Sequence, residues 1–177
     1  MIAEQLDTAF VAFGGNLGDP ASTLRAAVSL VGKTLGKVRA VSSLYEAEPL
    51  TLDGKPQPNY INAVFSVETA MCPQEMLRGL LEIEHQLGRD RSGAQRWQPR
   101  TIDLDLLFHG SRIQADDFVI VPHPEWSRRD FVLLPLFEIA PTLVDPVSGR
   151  PLSAIVAELH EGGATRCVIR RLFVQER

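Results

Sequence analysis

With 177 residues, 45 % of them hydrophobic and 23 % charged, the chain has the size and balance of one globular domain, not of a disordered tail or coiled coil. The net charge of −4 and a pI near 5.6 argue against general nucleic-acid binding, which needs a basic surface, but leave room for a small anionic ligand held by local charge. Cys72 and Cys167 are too few and too isolated for a zinc site or disulfide scaffold, and read as ordinary buried thiols of a reducing compartment. The N-terminus lacks the basic start and apolar run of a signal peptide, and no segment reaches the roughly 20 apolar residues of a membrane helix. The expectation is a cytoplasmic monomer without a membrane or nucleic-acid partner.

Residues 8–13, TAFVAF, form a short apolar run ending at Gly14-Gly15 and read as a buried strand. Asp19 then stands as an N-cap before Pro20 at the first helical position. Leu24, Ala27, Val28, Val31 and Leu35 follow at helical spacing, and Gly36 supplies the stop. Residues 37–46 are rich in β-formers and read as a second strand; 47–59, with three prolines and a glycine, is a loop. The strand predicted over 60–68 alternates, with Ile61, Ala63, Phe65 and Val67 on one face and Tyr60 and Asn62 on the other. Pro73 opens a second helix that Gly88 closes, and after a polar loop at 89–100 the run TIDLDLLF is a strand.

That order, β-α-β-β-α-β, predicts an α+β fold with a ferredoxin-like core, an antiparallel sheet carrying both helices on one face. C-terminal additions follow: a loop around VPHP, a helical run near 131–140 in which Pro135 must lie in the first turn or kink the helix, a helix at 152–160 and a strand at 167–174.

The strongest local signal is PRTIDLDLLF, residues 99–108. On a strand, Asp103 and Asp105 share one face while Ile102, Leu104 and Leu106 take the other. Adjacent carboxylates repel unless a cation sits between them. One reading is a half-exposed strand with an acidic face. The other is a Mg²⁺ site, since that ion prefers carboxylates together with substrate phosphates. Arg89, Arg91, Arg96 and Arg100 lie just upstream in GRDRSGAQRWQPR. Such a loop suits a polyphosphate, which guanidinium groups grip with a planar fork, or is a solvated basic loop, or an RNA-binding loop with Trp97 as a stacking residue. FGGNLGDP is neither a dinucleotide-binding fingerprint nor a P-loop. Its glycines serve a tight turn or let the backbone approach a flat ligand. Trp97, Tyr60 and Phe131 each read as core aromatics; alternatively, Tyr60 and Asn62 on one strand face offer a stacking plane and an amide, a combination suited to a heterocycle. His123, between Pro122 and Pro124, is a rigidly held imidazole with either a structural or a ligand-facing role.

Taken together, FGGNLGD, SSLYEAEPL, PNYINAVFSVET, GRDRSGAQRWQPRTIDLDLLF and VPHPEWSRRDFVLLPLFEIAP, spanning about residues 8–145, resemble the 6-hydroxymethyl-7,8-dihydropterin pyrophosphokinases of folate biosynthesis. The resemblance implies a single pyrophosphokinase domain over 1–177, with 146–177 as an extension outside the matched part. It also implies ATP as co-substrate, two Mg²⁺ ions, and transfer of the β,γ-diphosphate to the pterin hydroxymethyl group with release of AMP. Carried over, Asp103 and Asp105 correspond to the metal ligands and Arg89 and Arg100 to the arginines that assist transfer. Glu84, Arg91, Trp97, His123 and Arg129 correspond to nucleotide or loop-closure residues. Tyr60 and Phe131 resemble the pair that sandwiches the pterin and Asn62 the amide that reads its edge, with backbone groups near Gly14, Ala47 and Leu50. Three positions depart from the family's pattern: Gly15 replaces a common serine, Ala47 a common threonine, and Leu81 a glutamine that meets the nucleotide.

Overall fold

The structure, a computed structural model, describes residues 6–50, 56–89, 98–161 and 167–172. The first apolar run lies in β1 (Asp7–Gly15), an inner strand of a six-stranded sheet. Asp19 caps α1 (Pro20–Thr34): its carboxylate accepts the Ser22 N–H at 3.1 Å, one of the donors a helix start leaves unpaired. The return into the sheet needs glycine at position 36. There φ is +151°, and a Cβ would meet the Glu68 carbonyl and the Thr69 and Val67 side chains.

The strand expected over 37–46 is broken in two. β2 (Lys37–Val41) and β3 (Leu44–Ala47) run in succession along one edge of β4 (Tyr60–Thr69). The interruption falls beside Ser42, whose hydroxyl accepts the Val64 N–H at 3.0 Å. A side-chain oxygen standing in for a backbone carbonyl ends regular pairing at that point. α2 (Pro73–Gln86) follows, its start tied by the Cys72 N–H to the Glu75 carboxylate at 2.8 Å. As the residue before the helix, Cys72 is half-buried, contrary to expectation; Cys167 is buried.

β5 (Asp103–His109) pairs antiparallel with the outer side of β1, giving the order β5-β1-β4 with β2 and β3 beyond. α1 and α2 pack on one face through Leu24, Ala27, Val31, Met76, Leu80 and Ile83 against Val11, Phe13, Phe65 and Val67. This is the ferredoxin-like core. Facing every third or fourth helix residue and alternate strand residues into this layer is what the two periodicities demand.

The C-terminal additions give the sheet a second layer. They comprise a hairpin of β6 (Gln114–Ala115) and β7 (Ile120–Val121), a 3-10 turn at Trp126–Arg128, α3 (Asp130–Ile139), α4 (Leu152–Ala157) and β8 (Val168–Leu172). β8 pairs antiparallel with β3 at the sheet edge. Trp126, Leu133, Leu136 and Leu152 pack on Phe10, Ala12, Val64 and Phe108, on the face opposite α1 and α2. Pro135 is the sixth residue of α3, past the first turn. It has no N–H to give the Phe131 carbonyl, so that carbonyl lies outside the helical pattern.

A register shift separates the two halves of β5. Phe10 pairs with Phe108 but Val11 with Leu106, so Leu107 is an extra residue. Both Leu107 and Phe108 thereby join the second core, while Asp103 and Asp105 remain on the part of that face left half-exposed.

Candidate active site

Directly paired residues of neighbouring strands point to the same side, so the register assembles the site in rows. Asp103 pairs with Gly14, and Gly14 with Asn62. Asp105 pairs with Ala12, one step further along. Two strand spacings separate the Asp103 and Asn62 backbones, about 10 Å, and the residue between them has no side chain. Tyr60 shares the Asn62 face two residues away and pairs with Ala47. Phe131 joins the second core from the start of α3, on the same side of the sheet.

Asp103 is held by two arginines. One carboxylate oxygen accepts from Arg89 and the other from Arg100. Arg89 Nη1 also donates to the Ile102 carbonyl and to Glu84, each at 2.9 Å. Glu84 is 1 % exposed and accepts the Leu104 N–H at 2.7 Å. It lies beneath β5, joining α2, the Arg89 side chain and the strand that carries both aspartates. A carboxylate so buried is tolerable only because charged and backbone donors surround it.

Asp105 has no such partner among the described residues. Burial, and then the neighbouring Asp103 charge, push its carboxyl up from the usual range; His123, Arg129 and Arg100 oppose the rise. The His123 imidazole is held down chiefly by burial, against the pull of Asp105. Its Nδ1 accepts the Glu125 N–H at 3.2 Å, and the His123 backbone N–H donates to the Leu107 carbonyl at 2.8 Å, so the residue's backbone is tied to β5. The donor chemistry fits a hard dication: two carboxylates two residues apart on one strand face, one of them under-neutralised, of the kind that holds such an ion together with substrate phosphates. No cluster of three or more His, Cys, Asp or Glu side chains suited to a metal occurs among the described residues.

The aromatic side of the site carries its own cations. Arg100 lies over the Tyr60 ring, 5.8 Å from its centroid, and the Tyr60 hydroxyl donates to the Gln98 carbonyl at 3.0 Å. Arg129 lies 6.0 Å from the Phe131 centroid. Asn62 is buried, and its amide nitrogen has no hydrogen-bond partner among the described residues. A buried donor left so costs free energy until something accepts from it.

A family model described as 7,8-dihydro-6-hydroxymethylpterin-pyrophosphokinase (HPPK) matches residues 10–141. A Synechocystis protein named 2-amino-4-hydroxy-6-hydroxymethyldihydropteridine pyrophosphokinase is 38 % identical over 157 residues, which is 88 % of this chain and 78 % of that one. The Haemophilus influenzae protein of the same name is 40 % identical over 154 residues, 86 % of this chain and 90 % of the other. The chain belongs to the HPPK family. Among solved structures, the Plasmodium falciparum HPPK-DHPS triple mutant with SDX-DHP superposes with a TM-score of 0.70 at 16 % identity. That match covers 89 % of this chain but only 45 % of the larger one, and bears on the fold.

Of the residues singled out in this HPPK sequence, the fold brings Asp103, Asp105, Arg89, Arg100, Gly14, Asn62 and Tyr60 to one end of one sheet face, with His123, Arg129 and Phe131 arriving from the C-terminal layer. Ala47 ends β3 beside Tyr60, with Leu50 three residues on. Glu84 lies below the strand rather than over it. Arg91, Arg96 and Trp97 lie outside the described residues.

One residue of consequence escaped the sequence reading. Asn16, 6 % exposed, accepts the Arg100 N–H at 2.8 Å and donates to the Pro58 carbonyl at 3.1 Å. It thereby fixes the arginine segment and the approach to Tyr60 at once; its signal was an amide directly after Gly14-Gly15. Gly15 packs closely here: a Cβ would lie 2.5 Å from the Thr101 carbonyl, so a side chain would need that segment to shift. A cavity of about 300 Å³ bounded by Trp126, Arg128, Asp145, Arg150 and Leu159 holds none of these residues.

Proposed function

We propose that this chain transfers the β,γ-diphosphate of ATP to the hydroxymethyl oxygen of 6-hydroxymethyl-7,8-dihydropterin, releasing AMP, as a step of folate biosynthesis. The observation that carries the reading is the row Asp103–Gly14–Asn62. It sets a carboxylate suited to metal-bound phosphate and an unsatisfied amide suited to a heterocycle on either side of a bare backbone. A flat ligand lying over Gly14 would direct its substituent toward the aspartates.

Asp103 and Asp105 would hold two Mg²⁺ ions, which would neutralise the triphosphate and hold its β-phosphorus open to attack. Tyr60 and Phe131 would sandwich the pterin, Asn62 would donate to its edge, and backbone groups at Gly14, Ala47 and Leu50 would complete its outline. Arg89 and Arg100 already converge on Asp103. Phosphate oxygens arriving there offer the same planar fork a second acceptor, so the arginines can turn from the carboxylate to the transferring group. Arg129 and His123, together with Arg91, Trp97 and Glu84, would serve the nucleotide or the closure of the 89–100 loop, Glu84 by holding Arg89 from below. Fixing both substrates in line supplies up to roughly 7–11 kcal/mol of the barrier in ideal cases; as the oxygen–phosphorus bond forms and AMP leaves, the hydroxymethyl proton would pass to water or a phosphate oxygen.

The protein would act as a cytoplasmic monomer on two small molecules. No helix among the described residues is long and apolar enough to cross a membrane. The test is direct: with Mg-ATP and the hydroxymethyl-dihydropterin, the protein should form AMP and pterin diphosphate in equal amounts. Formation of ADP, or of no product, would reject the reaction.

A further inference from the structure

Asp130 opens α3 between two candidate ligand residues, Arg129 and Phe131, and is 5 % exposed. An acid at a helix start ordinarily turns onto its own helix's free N–H groups. This one turns away: Oδ2 accepts the backbone N–H groups of Cys167 at 2.7 Å and Val168 at 2.9 Å, in the strand nearest the C-terminus. Its other oxygen has no partner among the described residues, so those two donors carry the compensation a buried carboxylate requires. On its far side, the Cys167 carbonyl accepts the Glu48 N–H at 2.8 Å, one residue past Ala47. The same strand continues antiparallel along β3, pairing Val168 with Ala47 and Arg170 with Glu46, a pair that also forms an ion pair at 2.5 Å.

One dipeptide therefore bolts two separate segments together: the end of β3 leading to Leu50, and the head of α3 bearing Phe131. That head is short of one helical hydrogen bond, because Pro135 cannot serve the Phe131 carbonyl. The family match ends at residue 141, so the Cys167–Val168 half of the clasp lies outside it while Asp130 lies within. We propose that Asp130 is a positioning residue that, through Cys167 and Val168, sets the distance between the Ala47–Leu50 wall and the Phe131 wall of the pterin seat. It thereby governs pterin affinity without touching nucleotide or pterin. This rests on the reading of Phe131 and the 47–50 segment as that seat.

Calorimetric titration of the full chain with the pterin, and separately with Mg-ATP, tests it in four variants. Asp130→Ala should weaken pterin binding roughly tenfold, about 1.4 kcal/mol, with nucleotide affinity unchanged. Asp130→Asn should restore most of the loss, since an amide oxygen still accepts both N–H groups. Val168→Pro removes one of the two donors to Asp130, should likewise weaken pterin binding with nucleotide affinity unchanged, and carries the comparison if Asp130→Ala does not fold. Phe131→Ala is the reference for the seat. If Phe131→Ala weakens pterin binding while Asp130→Ala and Val168→Pro leave it unchanged, the clasp has no positioning role. Equal losses for pterin and nucleotide would reduce it to a general structural contact. If Phe131→Ala itself has no effect, the seat is elsewhere and the proposal falls with it.

Discussion

Asp103 and Asn62 stand in one cross-strand row of the sheet with only Gly14 between them. A Cβ at position 14 would lie 3.2 Å from the Asn62 Oδ1, closer than such atoms comfortably approach. Gly14→Ala should therefore push the amide aside and raise the floor beneath the pterin. Pterin affinity should drop about tenfold with nucleotide affinity intact, as calorimetry on each ligand would read. Equal affinity for the pterin would mean the ligand does not lie over Gly14.

At Asp105, loss of activity and loss of stability should part. Its folded-state carboxyl is raised by burial and by Asp103, so at neutral pH the ionised form is disfavoured in the fold relative to the unfolded chain. This component of stability is gained as pH falls toward the acid range and lost as pH rises through it. Asp105→Asn should then melt at or above the parent temperature in EDTA at pH 7, while Asp105→Ala and Asp105→Asn both lose turnover by about three orders of magnitude. Added Mg²⁺ with nucleotide should raise the melting temperature of the parent more than that of either variant. Near-full activity in Asp105→Ala would remove the metal assignment.

Glu84 meets Arg89 and the Leu104 N–H from below the strand. Removing this buried acceptor leaves the Leu104 N–H unpaired and Arg89 with Asp103 and the Ile102 carbonyl alone, at a cost of about 1–3 kcal/mol. Glu84→Ala should lower denaturant stability toward that range and reduce kcat as Arg89 loses its anchor. Glu84→Gln keeps an acceptor for Leu104 and should recover stability more than turnover. Equal recovery of both would confine Glu84 to holding the fold.

Tyr45 gives the fold an alkaline limit. Burial first, then its hydrogen bond to Glu138 at 2.9 Å and the charge of that carboxylate, push its hydroxyl up to about 12 from 10.0. The unfolded chain releases this proton first, so stability falls as pH rises from 10 toward 12 and levels once the folded form ionises too. Tyr45→Phe should flatten that part of the stability–pH curve measured by denaturant melts. An unchanged slope would show that the hydroxyl does not report on folding.

Much of this was legible in the chain itself. Period-2 alternation at 60–68 and 102–106 and helical spacing after Pro20 and Pro73 give the element order, because burial of one face imposes those periods on any sequence that folds. The acid pair was legible because i and i+2 on a strand share a side, and the arginine-rich flank from its composition alone. What the tertiary structure alone decided is who stands opposite whom. Register between strands far apart in sequence sets Gly14 between Asp103 and Asn62. The Leu107 bulge stops the second core short of the acids, and partners 37 and 38 residues distant bind Asp130. Local patterns carry the period of an element but not the pairing energies among distant ones, and the clasp, Asn16 and the buried post of Glu84 are all products of that pairing.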